Sequence, residues 1–219
     1  MDPEILQSLV KAIELKDHST AAHTWRVVLY TRALAEEFGI DHASITRLTT
    51  GAALHDLGKI DLPDAILQKP GPLTEAEFDV VKSHTILGHA SLRRMQETDP
   101  LILDLVRHHH ERWDGKGYPD GLIGEQIAQP ARFFSVIDSF DAMTSLRPYR
   151  QQVGEAAADR AIIELESGRG TRYWPDAVNA FARLYRTGRL NWILHHFNDA
   201  DPTSDFCPIQ LRTLRPPPT

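Results

Sequence analysis

Histidine and aspartate dominate the residues of this chain that could do chemistry. Eleven histidines occur in 219 residues. They include His23, the adjacent pair His55-Asp56, His84 and the run His108-His109-His110-Glu111, and Asp138 follows. Taken singly, each has a plain reading. A histidine on an apolar helical face is more often a hydrogen-bonded core residue than a ligand, and a mid-helix aspartate is usually solvated or capping. The adjacent pair says more, because one carboxylate can bridge two ions while its neighbour ligates one. The whole set points to a metal site, since buried imidazoles and carboxylates are costly unless paired or metal-bound. Imidazole-rich ligation with a few carboxylates suits Fe, Mn, Zn, Ni or Co better than Mg or Ca, which prefer oxygen cages.

The elements that must position these residues read as helices throughout. Apolar spacing is of the 3-and-4 kind, with no convincing alternating strand. Ile5, Leu9 and Ile13 mark a first helix, and a second runs from about residue 20 to Phe38, with Gly39 as its stop. Ile45, Leu48 and Ala52 define a third, ending near Gly58. Thr74 and Glu77 form a capping-box pattern opening a fourth, which carries Val81 and His84. Asp99-Pro100 opens a fifth with Ile102, Leu105 and Val106. From Trp113 to Pro130 the pattern lapses into a long Gly- and Pro-containing loop, a candidate functional element by its length. Helices resume over about 131–144, 155–166, 175–186 and 190–197. On these helices His23 lies four residues before Val27, His84 three after Val81, and Asp138 four after Phe134, while His55-Asp56 and His109-His110 extend apolar stripes. Six or seven ligand-type side chains thus point inward from five helices. The expected fold is all-α, a single-domain helical bundle over 1–197, followed by a loose Pro-rich tail over 198–219.

Composition narrows the function. Apolar and charged fractions of 42% and 25% are those of a soluble globular protein. A net charge of −6 argues against a general nucleic-acid binder, so an anionic substrate would need metal ions or a few placed cations. The single cysteine excludes an intrachain disulfide. No apolar run approaches the roughly 20 residues of a membrane span, and the N-terminus lacks a secretory pattern, so a cytoplasmic location without membrane attachment is expected.

Over roughly residues 11–185 the chain resembles the HD-GYP family, a branch of the HD phosphohydrolase superfamily. The resemblance rests on Lys16-Asp17 through His23-Thr-Trp-Arg-Val, His55-Asp-Leu-Gly-Lys-Ile and Pro63-Asp-Ala-Ile-Leu-Gln-Lys-Pro-Gly-Pro-Leu-Thr. Lys82-Ser-His84, His109-His-Glu-Arg-Trp-Asp-Gly-Lys-Gly-Tyr-Pro119 and Asp138-Ser-Phe-Asp-Ala-Met-Thr-Ser-Leu-Arg-Pro-Tyr-Arg150 complete it. The His-His-Glu-x-x-Asp-Gly-x-Gly-Tyr-Pro string is the most specific piece. The resemblance implies an HD-type bundle that hydrolyses cyclic di-GMP. It implies that His23, His55, Asp56 and Asp138 hold one metal, and that Asp56 bridges to a second completed by His84, His109 and His110. Among suitable metals it favours iron or manganese. His108 precedes the family's His pair and reads as a partly exposed helix residue. The Gly-Tyr-Pro loop is associated in the family with substrate recognition and protein partners.

Phosphodiester hydrolysis suits such a centre. Two ions roughly 3.5–4 Å apart can acidify a shared water into the nucleophile, neutralise the phosphate and assist the leaving alkoxide. Lys59, one turn after Asp56, is a candidate for a phosphate oxygen or the nucleophile, against the plain reading of a solvated lysine at a helix end. Arg147 and Arg150 suit phosphate or guanine edges, or else a surface ion pair. Gly115 and Gly117 permit close backbone approach, Pro119 stiffens the exit, and Tyr118 packs or stacks. Glu111 and Asp114 read as loop-fixing.

Two departures matter. Some family members carry a glutamate one turn before the first histidine that helps bind a third metal; Ser19 stands there, so two metals and the linear product pGpG are expected, with slower cleavage to GMP. Gly170-Thr-Arg-Tyr-Trp174-Pro175 lacks the family's usual acidic residue, which bears on packing more than chemistry. No sensory domain is expected ahead of the catalytic region, so regulation is expected through partners, homodimer formation or supply of substrate and metal. The rival readings are a hydrolase for another cyclic dinucleotide, such as cyclic GMP-AMP, and an inactive cyclic di-GMP receptor acting as a docking module.

Overall fold

A computed structural model describes residues 1–17, 21–145, 155–197 and 205–211. The chain order is α1 (Pro3–Asp17), α2 (Ala21–Glu37), α3 (His42–Leu54), α4 (Asp64–Leu67), α5 (Glu75–Lys82), α6 (His84–Arg94), α7 (Pro100–His108), α8 (Gln129–Thr144), α9 (Glu155–Ser167), α10 (Pro175–Arg186), α11 (Asn191–His196) and α12 (Pro208–Leu211). Short 3-10 turns cover Leu57–Asp61 and Gly124–Gln126. Among the described residues there is no strand, only the isolated bridges Asp114–Ile123 and Arg169–Tyr173. The fold is all-α, and no described helix is long and apolar enough to cross a membrane.

Local chemistry sets several helix starts. The Asp41 carboxylate accepts from Ser44 N at 3.0 Å, and Asp99 accepts from Leu101 N at 2.9 Å with Pro100 at the first helical position. Thr74 and Glu77 make the reciprocal capping box. Each such cap stabilises its helix by about 1 kcal/mol.

Helix α2 buries residues on all its faces because α3, α8, α10 and α11 pack around it. Tyr30, Phe140 and Phe181 meet edge-on there, with ring centres 4.9–5.8 Å apart. Helix α7 lies against α3, α6 and α8. Beyond Asn198, the Phe206 ring is buried edge-on against Trp25, 4.9 Å between centres.

Two boundaries and one buried face differ from the sequence reading. The inward face of α1 is Leu6, Val10 and Ile13, whereas Ile5 is 53% exposed; two apolar stripes one residue apart both satisfy helical spacing. The third helix stops at Leu54, and His55 and Asp56 lie in the link to the 3-10 turn. The fourth is two helices, α5 and α6, meeting at Ser83. The break lets α6 approach the 3-10 turn, where a Cβ on Gly58 would fall 1.9 Å from His84 O and 2.5 Å from Gly88 N.

Candidate metal centre

Four helices and one link deliver the site. His23 comes from α2, His55 and Asp56 from the α3 link, His84 from the start of α6, His109 and His110 from the end of α7, and Asp138 from α8. Ligand atoms of His23, His55 and Asp56 lie within 4.8 Å of one another, as do those of His84, His109 and His110. Asp56 touches both groups. Its Oδ2 is 3.2 Å from His55 Nε2, and its Oδ1 is 3.5 Å from His84 Nε2. Asp138 is looser, with Oδ1 3.9 Å from His55 Nε2.

Hydrogen bonds fix which ring nitrogen faces inward. Nδ1 of His55, His84 and His109 sits 2.8, 2.7 and 3.0 Å from the carbonyl oxygens of Ala52, Val81 and Val106, each three residues back. A carbonyl only accepts, so each Nδ1 carries the proton and each Nε2 turns to the centre. His23 Nδ1 likewise donates to Asp141 Oδ2 at 2.8 Å. Tethering of this kind presets tautomer and ring orientation for ligation.

The resulting electrostatics suit a cation. Burial, with the neighbouring His84, pulls His110 down to about 3. Burial also lowers His84, and burial with His110 lowers His109 strongly. These three rings are therefore neutral, and His84 Nε2 and His109 Nε2 face each other at 3.2 Å with Nδ1 of both already protonated. Two bare lone pairs at that distance repel, and a shared cation turns the contact favourable. Burial also disfavours a charged His55, but Asp56 and Asp138 outweigh it and raise the group to about 9. Burial opposes ionisation of Asp56 too, yet His55 and Lys59 hold it well below the usual carboxylate range. The donor set therefore fits divalent metal.

Around this centre stands support that the sequence reading did not assign. Asp141 is buried and clamped by Arg26, through Nε on Oδ1 and Nη2 on Oδ2 at 3.2 Å, and by Ser145 Oγ at 2.9 Å. Arg26 also reaches Phe197 O at 2.7 Å. Burial alone would raise Asp141, but Arg26 and His23 push it far down, so it stays an anion that holds the His23 ring. The available signal was spacing: Asp141 lies one helical turn after Asp138. Substituting Asp141 with asparagine should weaken metal binding or turnover by roughly 10–100-fold, read as metal per chain after limited dialysis; unchanged retention would show that His23 needs no such anchor.

Lys59 is not a solvated helix-end lysine. Its ammonium is 2.8 Å from Asp56 Oδ2 and 2.7 Å from Asp17 Oδ2, which ties α1 to the centre. Although burial opposes the charge, these two carboxylates raise its pKa strongly.

The loop is fixed by its own acids. Glu111 accepts from Asp120 N at 2.6 Å and Leu122 N at 3.1 Å, and Asp114 binds Arg112 in a fork and caps Lys116 N. Gly115 has φ +75, and a Cβ on Gly117 would fall 2.3 Å from Arg112 N. The approach these glycines permit is between segments of the loop itself. It carries Tyr118 onto His110, with ring centres 4.8 Å apart and planes at 29°, and the Tyr118–Pro119 peptide is cis. His108 is half-buried and its Nε2 meets Asp120 at 2.9 Å. Arg147, Arg150 and Ser19 lie outside the described residues.

Comparison with known proteins agrees with this architecture. The family profile described as HD domain matches residues 7–176. A cyclic di-GMP phosphodiesterase of Thermotoga maritima is 41% identical over 184 residues, 83% of this chain and 49% of that protein. The 3'3'-cGAMP-specific phosphodiesterase 2 of Vibrio cholerae is 34% identical over 179 residues, 80% of this chain and 33% of that protein. The chain thus spans about half, or less, of the length of these curated relatives. In fold it is similar to a cyclic GMP-AMP specific phosphodiesterase of V. cholerae, V-cGAP3, with a TM-score of 0.67 at 15% identity, covering 99% of this chain and 54% of that one. With its helical fold, its converging histidines and the matched profile, the chain belongs to the HD domain family, in its HD-GYP branch.

Proposed function

We propose that this chain is a metal-dependent phosphodiesterase that hydrolyses cyclic di-GMP to pGpG, with slower conversion to GMP, at a centre of two divalent ions, iron or manganese before Zn, Ni or Co. The observation that carries the reading is Asp56, set between two imidazole groups in which His23, His55, His84 and His109 each hold Nδ1 on an acceptor and leave Nε2 for the centre. His23, His55, Asp56 and Asp138 would hold one ion, and Asp56, His84, His109 and His110 the other. Bound there, the ions supply charge neutralisation at the phosphate and an acidified water.

The chain's own groups do the rest. Lys59, kept protonated by Asp56 and Asp17, places a cation beside the bridging carboxylate for a non-bridging phosphate oxygen. Tyr118 stacks on His110 and bounds the substrate site on the loop side. Arg147 and Arg150 serve the anionic or guanine edges of the substrate. The loop's outer face is also the place for a protein partner. Preference for cyclic GMP-AMP is the second reading, favoured by a 34% identical relative specific for that dinucleotide.

The test is anaerobic purification with metal analysis, joined to product chromatography under competition between cyclic di-GMP and cyclic GMP-AMP. About two ions per chain and accumulating pGpG are expected, the stoichiometry following from the two ligand groups. Faster consumption of cyclic GMP-AMP would favour the second reading. Metal without turnover, under iron and manganese alike, would leave a receptor as the better account.

A further inference from the structure

Beside the centre lies a segment with no stake in the core. From Pro63 to Ser83 no side chain is buried, although Leu62 and His84 at its two ends are. Helix α5 within it buries nothing, and leaves Phe78 47% exposed. Phe78 is not an isolated surface apolar residue. Lys82, one turn later, holds its ammonium 5.2 Å from the centre of the Phe78 ring and 6.0 Å from that of Tyr118. Tyr118 in turn stacks on His110. A half-exposed aromatic ring, the cation over it and a second aromatic ring therefore form a continuous ledge leading outward from the metal centre.

The ledge has the chemistry of a base-binding surface. An aromatic face offers stacking to any purine, and lysine has donors only. Guanine presents two acceptors, O6 and N7, on the corresponding edge, whereas adenine presents an amino donor beside N7. Asp79 engages Lys82 at 2.5 Å, which leaves other ammonium hydrogens for that edge. Because the segment contributes nothing to the core, it can adjust around a base without opening a cavity. Its last turn also supplies Val81 O, which orients His84, so the ledge is linked to the centre by a 2.7 Å hydrogen bond.

We propose that Phe78 and Lys82 form the subsite for one guanine base of the cyclic dinucleotide, Phe78 stacking on its face and Lys82 meeting its acceptor edge. The proposal rests on the functional reading above.

Steady-state kinetics on the full chain, wild type, Phe78→Ala and Phe78→Trp, test it with two substrates: cyclic di-GMP and methyl p-nitrophenyl phosphate, a phosphodiester without a base. Phe78→Ala should raise KM for cyclic di-GMP at least about fivefold with kcat little changed, the pattern of lost uniform binding. Its selectivity for the dinucleotide over the base-free ester should fall by a similar factor, and Phe78→Trp should restore both. An unchanged KM, or a tryptophan variant no better than alanine, would overturn the subsite while leaving the phosphodiesterase reading intact. A wild type that cleaves the base-free ester but no cyclic dinucleotide would instead overturn the functional reading, and the subsite with it.

Discussion

Replacing Asp56 with asparagine is expected to strip metal from both ligand groups at once and to reduce turnover by more than the roughly 10–100-fold typical of a supporting residue. The change keeps the side-chain shape and removes the charge. Asparagine has one weak oxygen donor, and its amide hydrogens would face either the cation or the His55 and His84 nitrogens that now surround Oδ1 and Oδ2. Truncating His110 should behave differently, because it belongs to one group only; the ion proposed for His84, His109 and His110 should be lost first. Metal per chain and turnover, measured side by side for the two variants, separate a bridging ligand from a terminal one. If Asp56→Asn retained both ions with turnover within about tenfold of wild type, the bridge would be wrong. The metal-free protein should also lose stability. Breaking a buried ion pair costs about 3–5 kcal/mol, and the lower end applies because Lys59 keeps Asp17.

Gly58→Ala should be nearly as damaging without altering a ligand side chain. The added Cβ would lie 1.9 Å from His84 O, 2.5 Å from Gly88 N and 2.7 Å from His84 C. All three are backbone atoms, so no rotamer change can relieve the clash. Either the 3-10 turn, joined directly to Asp56, or the start of α6, which carries His84, must move. Overpacking of this kind costs about 1–3 kcal/mol or somewhat more. For a chain of this size that corresponds to a fall in Tm of roughly 2–4 °C per kcal/mol. Separation of His84 from Asp56 should also weaken the group formed by His84, His109 and His110. Thermal melting with and without added manganese checks both effects: the variant should melt earlier and gain less from the metal than wild type does. An equal gain would mean that the turn and α6 shift together and keep the centre intact.

Both variants act through contacts that differ in how far they could be seen in advance. The capping box of Thr74 and Glu77 and the Asp99-Pro100 start are local, set by residues one to three apart, and they stand in the structure as the sequence implies. Local signals failed where neighbours decide. Two adjacent apolar stripes on α1 satisfy the same helical period, and only packing against α3, the 3-10 turn and α12 selects Leu6, Val10 and Ile13. The break at Ser83 carries neither glycine nor proline to announce it; the close approach of Gly58 and Gly88 explains its use.

The same division runs through the site. Sequence alone determined the all-helical class, and it singled out the seven metal-capable side chains, because burial of so many imidazoles and carboxylates on apolar faces has few explanations other than a cation. Tertiary structure decided what those residues meet. It set Asp56 between the two imidazole groups, turned Nε2 of His55, His84 and His109 inward by hydrogen bonds to carbonyl oxygens three residues back, and brought Arg26 and Asp141, 115 positions apart, into one buried clamp on His23. It also engaged Lys59 with Asp17 across 42 positions and laid Tyr118 over His110 beside Lys82 and Phe78. Periodicity reports which face of an element is turned inward. Which atoms it encounters there depends on elements remote in the chain, and only their packing brings those atoms together.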